Sequence, residues 1–279
     1  MDVANTALEK PLNLRDLRMA SIDLDGTLLG PDLKISPRNR LAVEQLAAAG
    51  LQIAIATGRH YHATAAFARQ LPDVQWLVTA QGGEVSDVAR NEILARDYLP
   101  AGVAHSAATL SSRFSITPML YGNQGVFTTV PTNEAIRFYE QLIDAQVPLL
   151  NEEELKDAAF FKVVLNADPE NIDGLESQNV MRFEGTQLIR SHQRFLEVTP
   201  SKVSKATGLA RLAEKIGVDA SEVVSFGDAE NDIPMFQWSG ASFAMDHGWP
   251  RAKQSARWVA PAGDPENAFA RAVDAFLEC

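Results

Sequence analysis

Cysteine is almost absent from this chain of 279 residues, with Cys279 as the single example. One thiol allows no intrachain disulfide, so nothing in the composition indicates an oxidising compartment. Long apolar runs are also lacking, because no segment approaches the roughly 20 apolar residues that a membrane-spanning helix needs. Residues 1–15 combine charged residues with Pro11 and have no continuous apolar stretch, which argues against a secretory signal. These absences predict a cytoplasmic protein.

Positive charge is also scarce, since 25 Lys and Arg stand against 36 Asp and Glu, for a formal net charge of -11. Nucleic acids and anionic membranes attract basic surfaces, so this balance disfavours both as the main partner. Small anionic substrates remain possible, because a few local Lys or Arg can override the global field. The 46% hydrophobic content is enough for one large domain or two medium ones, and the sequence carries no indication of oligomeric state.

Two aspartates, Asp23 and Asp25, follow the first short apolar run in the stretch Asp-Leu-Asp-Gly-Thr-Leu. An unpaired buried carboxylate is costly, so a strand ending in two of them needs a compensating charge. Mg²⁺ supplies one naturally, because it prefers carboxylate and carbonyl oxygens and leaves room for a substrate phosphate. Gly26 and Thr27 suit a tight turn out of the strand. Taken alone, the stretch also suits a solvated turn or part of a calcium loop.

A second predicted strand, residues 51–56, ends at Thr57, Gly58 and Arg59. A hydroxyl and the amides of a glycine-containing turn can hold a phosphoryl oxygen, and a helix opening near His60 would add the favourable end of its dipole. The alternative is that Thr57 serves only as the N-cap of that helix.

Lys205 opens a third segment, immediately after Ser204, a typical N-cap residue. A lysine in the first turn opposes the helix dipole, so we expect Lys205 to face an anion, whereas the nearby Lys202 suits a solvated surface.

A fourth segment brings Asp228 to the end of another apolar strand, where it can complete the metal site that Asp23 begins. Asn231 and Asp232 could orient Lys205 or a metal-bound water, as such sites need. Capping of the following helix is the alternative for both, and it is the preferred role for Glu230.

The four segments resemble the motifs of the haloacid dehalogenase-like phosphatase superfamily, and more narrowly its Cof-type members with a C2B cap. They occur in the family's order, and the resemblance extends from about Leu17 to the C-terminus. It implies an α/β fold with a Rossmann-like parallel sheet core and an inserted α+β cap, which agrees with the alternation of short strands and amphipathic helices. Because the chain turns at Gln81-Gly82-Gly83, we expect a discontinuous catalytic core of residues 1–83 and 196–279 and a cap of residues 84–195.

The resemblance implies a phosphoric monoester hydrolase. Asp23 would attack phosphorus and become an aspartyl phosphate, and Asp25 would protonate the leaving oxygen and then activate water. Thr57 would orient the phosphoryl oxygens, while Lys205 would stabilise the transferring group. Mg²⁺ would be held by an Asp23 oxygen, the Asp25 backbone carbonyl and Asp228. The substrate-binding candidates are Gly26, Gly58 and Arg59, and Arg59 could alternatively anchor the cap.

The expected substrate is a small phosphorylated metabolite, with a sugar phosphate preferred and phosphorylated cofactors such as FMN or pyridoxal phosphate also considered. A phosphohexomutase and a non-catalytic metabolite sensor are the alternatives. The second is disfavoured because a pure binder has no need of both Asp23 and Asp25.

The chain departs from the family pattern at two places. Gln81-Gly82-Gly83 replaces the usual Asn-Gly-Ala at the exit to the cap, and Asp246-His247-Gly248 follows Met245 where Gly-Asn-Ala is usual. No substrate role is therefore carried over to either. Surface positions are the preferred interpretation for five basic cap residues, Lys162, Arg182, Arg190, His192 and Arg194. Helix-surface or packing roles are preferred for His60, Tyr61 and His62.

Overall fold

The computed structural model describes residues 16–178 and 180–278. The expectation that residues 1–15 are no secretory signal, and the thiol of Cys279, lie outside these ranges. Within them, no helix is long and apolar enough to cross a membrane.

The strands, in chain order, are β1 (Met19–Ile22), β2 (Gln52–Ala56), β3 (Val74–Thr79), β4 (Glu84–Asp87), β5 (Glu92–Arg96), β6 (Thr117–Gly122), β7 (Gly125–Phe127), β8 (Phe160–Asn166), β9 (Thr186–His192), β10 (Phe195–Pro200), β11 (Val223–Gly227), β12 (Ala241–Ala244) and β13 (Trp258–Val259). The α-helices are α1 (Pro37–Ala48), α2 (Tyr61–Ala68), α3 (Val103–Arg113), α4 (Glu134–Ile143), α5 (Glu152–Asp157), α6 (Pro169–Gln178), α7 (Lys205–Ile216), α8 (Ile233–Trp238), α9 (Pro250–Ser255) and α10 (Ala268–Leu277).

The larger sheet has the strand order β13-β12-β11-β1-β2-β3-β4-β5, parallel from β13 to β3 and antiparallel at β4 and β5. Its central strand β1 is buried throughout, and successive side chains enter opposite layers. Helices α1 and α10 cover one face, while α7 and α8 cover the other. Helices on both faces of a mainly parallel sheet confirm the predicted α/β fold.

Capping residues in the sequence mark the starts of two helices, α1 and α7. Ser36 caps α1 by accepting from the Asn39 N–H, and Ser204 forms a capping box with Thr207 at the start of α7. Gly217 ends α7 with a left-handed φ of 68°. Helical spacing predicts that Leu41 and Leu46 share the apolar face of α1, but Leu41 is 53% exposed, so the prediction is wrong at this position.

The smaller sheet is antiparallel, as expected, with the order β7-β6-β8-β10-β9. Helices α3, α5 and α6 pack against one face of this sheet. Helix α4 packs against the other face, where Ala63 and Ala80 of the larger unit join the same hydrophobic cluster. The α4 face is therefore the one that meets the sheet of the core.

The two sheets do not divide the chain at the expected positions. Residues 84–96 were assigned to the cap, yet β4 and β5 extend the larger sheet by pairing with β3. Residues 196–200 were assigned to the core, yet β10 pairs with β8 and β9. Strand pairing is a long-range choice that an alternating pattern does not specify. The sheets place the smaller unit, which we call the cap, at about residues 97–200.

Candidate active site

The predicted site residues converge where three parallel strands end. Ile22 of β1 is level with Ile55 of β2 and Phe226 of β11, so the residues just beyond them emerge at one edge of the sheet. Open parallel sheets bind ligands beyond this carboxyl edge. A cavity of about 320 Å³ lies between this edge and the cap, a size that suits a small metabolite.

Two walls, which we call the core wall and the cap wall, enclose the cavity. The core wall consists of Asp23, Asp25, Gly26, Leu33, Thr57, Gly58, Arg59, Gln81, Asp228, Ala229, Asn231 and Trp249. The cap wall consists of Tyr121, Tyr139, Leu142, Ile143, Val164, Ser191, His192, Phe195 and Glu197.

Behind the core wall, the buried ammonium group of Lys205 joins two carboxylates. Its Nζ lies 2.5 Å from Asp23 Oδ1 and 2.6 Å from Asp232 Oδ1. Burial alone would lower the pKa of Lys205, but the two carboxylates outweigh that effect and raise the pKa above its usual range. Lys205 thus stays charged and faces anions, as its position in the first turn predicted.

One lysine does not balance the acidic groups gathered here. Burial raises the pKa of Asp23 to about 7, although Lys205 opposes the shift. Burial also raises the pKa of Asp228 well above its usual value, and the carboxylates of Asp23 and Asp232 add to the rise. The site therefore favours a further positive charge in front of Asp23 and Asp228.

The donor set fits a divalent cation. Carboxylate oxygens of Asp23, Asp228 and Asp232 lie within 4.8 Å of one another. Asp232 is already engaged, because Oδ1 accepts from Lys205 and Oδ2 accepts from the backbone N–H groups of Asp228 and Ala229. Asp23 and Asp228 remain as the carboxylates that could hold a hard cation such as Mg²⁺.

Gly26 leaves the space in front of Asp228 open. A Cβ at this position would lie 2.6 Å from Asp228 Oδ2, and the backbone φ of 77° is one that glycine tolerates best. Any side chain here would push into the space in front of that carboxylate, so the Asp-x-Asp-Gly spacing suits a metal cradle.

Asp25 points into the cavity and pairs with Arg59. Arg59 Nε donates to Asp25 Oδ2 at 2.8 Å, and its Nη2 donates to Oδ1 at 2.5 Å. The Asp25 side chain is 42% exposed, whereas Arg59 is buried and lies over the Phe67 ring. Arg59 thus anchors the proposed acid/base residue within the core, and no direct contact with the cap is observed for its guanidinium among the described hydrogen bonds.

Thr57 does not cap the following helix, so the capping alternative is wrong. His60 is the N-cap of α2, and its side chain accepts from the His62 N–H. The Thr57 hydroxyl accepts from the Arg59 N–H at 3.1 Å and shapes the turn that faces the cavity. A Cβ at Gly58 would lie 2.7 Å from Gln81 Nε2, so a larger residue there would displace the Gln81 side chain.

Sequence reasoning missed most of the cap wall. The helical spacing of Tyr139, Leu142 and Ile143 predicts that they share one face of α4, but what that face contacts depends on how the cap docks. Of the five basic cap residues, only His192 lines the cavity. The surface expectation is wrong for Lys162, which is 1% exposed and pairs with Glu197. Arg190 and Arg194 instead pair with the acidic residues Asp173 and Asp168.

Both departures from the family pattern reach the site. Gln81 lines the cavity and accepts from Asn231 Nδ2 at 3.1 Å. His247 Nε2 lies 2.8 Å from the Gly26 carbonyl oxygen, and the Trp249 N–H donates to the Asp228 carbonyl at 2.7 Å. The unusual loops therefore support the backbone of the segments that carry Gly26 and Asp228.

The profile of the haloacid dehalogenase-like hydrolase family matches residues 20–273. The chain belongs to this family. Membership confirms the sequence prediction of a haloacid dehalogenase-like hydrolase, and several curated relatives of this hydrolase are named as phosphatases.

Two relatives and one solved structure define the likeness. The HMP-PP phosphatase of Serratia proteamaculans (strain 568) is 28% identical over 237 residues, which cover 85% of this chain and 86% of that protein. The 5-amino-6-(5-phospho-D-ribitylamino)uracil phosphatase YbjI of Escherichia coli (strain K12) is 26% identical over 258 residues, 90% of this chain and 93% of that protein. A haloacid dehalogenase-like hydrolase from Bacteroides thetaiotaomicron has a TM-score of 0.82 at 24% identity, covering 93% of this chain and 99% of that one.

Proposed function

We propose that this hydrolase is a Mg²⁺-dependent phosphatase that cleaves small phosphorylated metabolites through an aspartyl phosphate at Asp23. One observation carries the proposal: Asp23 faces the cavity while a buried, charged Lys205 holds its other side. Asp228 lies close enough to share a cation with it. A carboxylate fixed between positive charges can approach an anionic phosphate, which a free carboxylate would repel.

In the proposed reaction, Asp23 attacks phosphorus in line, the bond to the leaving oxygen breaks, and Asp25 gives that oxygen a proton. Asp25 then takes a proton from water, which attacks phosphorus and frees Asp23. Bound Mg²⁺, held by Asp23, Asp228 and the Asp25 backbone carbonyl, would offset the charge of the transferring phosphoryl group.

Several neighbouring groups would assist this reaction without exchanging protons. The Thr57 hydroxyl and the turn at Gly58 orient the phosphoryl oxygens, and Gly26 keeps the approach to Asp228 open. Asp232 accepts from Lys205 and holds it in place, and the neighbouring Asn231 donates to Gln81 on the cavity side. Both oxygens of Asp25 accept from Arg59, and each oxygen keeps a second lone pair on which Asp25 could carry a proton.

The cap wall favours a flat ring as the organic part of the substrate. Two of its three hydroxyl hydrogens are used within the wall, because one of Tyr121 and Tyr139 donates to the other and Ser191 donates to Glu197. A polyhydroxyl sugar would find few free partners there, and each buried hydroxyl without a partner carries a cost. Aromatic faces instead attract planar rings. The sugar phosphate expected from the sequence remains the second candidate, favoured by the free polar groups of the core wall.

The name of the Escherichia coli relative includes a uracil ring joined to a phosphoribityl chain, which agrees with a planar group in the substrate. We also propose a cytoplasmic location, in keeping with the composition of the chain, and no nucleic acid or membrane as the main partner.

Phosphate release from a panel of substrates tests the proposal. The panel contains ring-bearing esters such as pyridoxal phosphate and FMN, together with hexose and pentose phosphates and nucleotides, each with Mg²⁺ and with a chelator. We expect release that needs Mg²⁺ and is fastest for a ring-bearing ester. Conversion of one hexose phosphate isomer to another would instead indicate a mutase. Binding without turnover of any substrate would contradict catalysis.

A further inference from the structure

A buried polar network crosses from the cap to the core beside the cavity. Lys162 of β8 and Glu197 of β10 form an ion pair at 2.9 Å, and they are 1% and 3% exposed. Glu197 Oε2 also accepts from Gln81 Nε2 at 3.1 Å, and Gln81 Oε1 accepts from Asn231 at 3.1 Å. We call these four side chains the Gln81 network.

The network touches the phosphate-holding turn directly. Lys162 Nζ donates to the Gly58 carbonyl oxygen at 2.6 Å, across the boundary between cap and core. The Gln81 N–H donates to the Thr57 carbonyl at 3.0 Å, and the Ala80 N–H donates to the Arg59 carbonyl at 2.9 Å. Three hydrogen bonds thus reach Thr57, Gly58 and Arg59 from a cap lysine and from the turn that carries Gln81.

The turn at Gln81 has an unfavourable backbone that its surroundings must hold. Ala80 and Gln81 have φ values of 51° and 63°, in the left-handed region that non-glycine residues rarely adopt. Gly82 follows with a φ of 98° and lies so close to Ser204 that a Cβ would be 1.9 Å from its carbonyl oxygen. Such strain persists only where neighbouring contacts fix the conformation, and it concentrates at functional sites.

Stability alone is a weak reason for a buried ion pair in this place. Well-packed apolar residues often replace such pairs without loss, because both charges must leave water. Every polar atom of this pair is nevertheless satisfied: Glu197 accepts from three donors, and Lys162 also lies 4.3 Å from the centre of the Tyr121 ring. A hydrogen-bonded ion pair fixes the orientation of its members, and here it fixes the cap relative to the turn at Gly58.

We propose that Gln81, together with the Lys162–Glu197 pair, is a positioning element that sets the Thr57–Arg59 turn in its working geometry when the cap is docked. The proposal rests on the phosphatase function proposed above. Gln81 acts through the turn and through Asn231, and it takes no part in proton or phosphoryl transfer.

Replacement of Gln81 by Glu tests this role with a pH signature. The ionised Glu would set a carboxylate against Glu197 and break the network, whereas the protonated acid would donate to Glu197 as the amide does. The charged and titratable groups that contact Gln81 or Glu197, or that share a cavity lining with Gln81, are Lys162, Glu197, Tyr121, Tyr139, His192, Glu176 and Arg190 from the cap, and Asp23, Asp25, Arg59, Lys205, Asp228 and Glu230 from the core. They remain the same in both proteins, so the ratio of variant to parent activity isolates the change.

We expect kcat of Gln81→Glu to fall roughly tenfold at about pH 8, with less change in KM, and the ratio to approach one at about pH 5.5. The matched control is Gln52→Glu. Gln52 begins β2, at the end of the strand away from Thr57, and its side chain accepts a hydrogen bond from Trp76. Its ratio should stay near one at every pH. A pH-independent ratio near one for Gln81→Glu would overturn the proposal.

A second variant and a second readout keep the test decisive. If Gln81→Glu does not fold, Gln81→Asn replaces it in the test. The Asn side chain is one methylene shorter and cannot reach both Glu197 and Asn231, so we expect kcat to fall roughly threefold. Backbone amide exchange should speed up at residues 57–60 in either variant at about pH 8. If the parent releases no phosphate, the phosphatase proposal fails, while unchanged exchange at residues 57–60 would separately overturn the positioning role.

Discussion

The core wall and the cap wall of the cavity differ in charge and in how their polar groups are used. On the core side, Asp23, Asp25 and Asp228 present carboxylates to the cavity, and Lys205 and Arg59 hold two of them from behind. On the cap side, Tyr121 and Tyr139 bond to each other, and the remaining lining consists of four apolar side chains with Ser191, His192 and Glu197. From this difference we propose that the core wall performs chemistry common to many substrates, while the cap wall selects among them.

Loss of the nucleophile should separate the two walls most sharply. Asp23→Asn retains the shape of the side chain but cannot form the acyl phosphate, so we expect phosphate release to fall roughly 10⁴-fold or more. Substrate binding, measured by calorimetry, should persist because the cap wall is unchanged. The control Asp274→Asn alters an exposed ion pair with Arg38 and should retain full activity. Normal turnover by Asp23→Asn would contradict the assignment of chemistry to the core wall.

Lys205→Met should reveal how strongly the core wall depends on one buried cation. Asp23 and Asp232 would lose their shared partner, and leaving buried charges unpaired costs roughly 3–5 kcal/mol of unfolding free energy. Urea denaturation without metal measures the loss. The control Lys215→Met, at an exposed position of the same helix, should change stability far less. Equal stabilities of the two variants would show that Lys205 is not the balancing charge.

His60 joins the two units at a point outside the cavity, and its titration should weaken the fold in acid. Burial lowers its pKa to about 4, and its Nε2 contacts the Gly122 carbonyl of the cap. The imidazole of the unfolded chain has the higher pKa, 6.5. Neutral His60 therefore makes its full contribution to the free energy of unfolding above that pH, and this contribution is lost as pH falls towards about 4. The loss amounts to roughly 3 kcal/mol at most.

Unfolding free energies of the parent and of His60→Asn, measured between these pH values, check this expectation. The parent should lose more stability than the variant as pH falls, whereas His105→Asn, on α3, should follow the parent. Parallel curves for the parent and His60→Asn would contradict it.

Arg59→Lys should impair catalysis without altering substrate preference. A lysine cannot hold both oxygens of Asp25, so we expect kcat/KM to fall roughly tenfold, equivalent to about 1.4 kcal/mol, for every substrate. Steady-state kinetics on two unlike esters measure the change, with the exposed Arg69→Lys as control. A fall in kcat/KM for only one of the two esters would indicate that Arg59 selects substrates and does not support the chemistry at Asp25.

Leu142→Asn should show the smallest effect and the most selective one. It places a polar group on the cap wall, so KM for a ring-bearing ester should rise roughly fivefold while kcat and the turnover of a small ester remain unchanged. Leu149→Asn, at a 59% exposed cap position, is the control. A fall in kcat for both esters would indicate that the cap wall also takes part in the chemistry.

The sequence predicted the core wall because each of its segments is local. An apolar run followed by Asp23, Thr57 or Asp228 places that side chain at the carboxyl edge of a parallel sheet, whatever the remainder of the chain does. The N-cap Ser204 likewise fixes the start of α7 and hence the position of Lys205. The pairing of Asp25 with Arg59 was not predicted, because the direction of the Arg59 side chain depends on the conformation of the turn at Thr57, Gly58 and Arg59.

The cap wall and the boundaries between the units depend on pairings that are distant in sequence. The expected boundaries at residues 84 and 195 do not coincide with the strand pairing, because β4 pairs with β3 and β10 pairs with β8. Lys162 was expected at the surface because an isolated lysine usually lies there, and its partner Glu197 comes 35 residues later. Only the docked cap brings both residues to Gln81 and Gly58.

Chemical trapping at Asp23 tests the central claim most directly. Borohydride reduces an acyl phosphate to an alcohol, so quenching the enzyme with borohydride during turnover should convert Asp23 to homoserine, which peptide mass spectrometry locates. The account predicts this modification at Asp23, only when Mg²⁺ and substrate are both present, and none at Asp25 or Asp228. Phosphate release that continues with Asp23 unmodified, or a modification at another carboxylate, would contradict it.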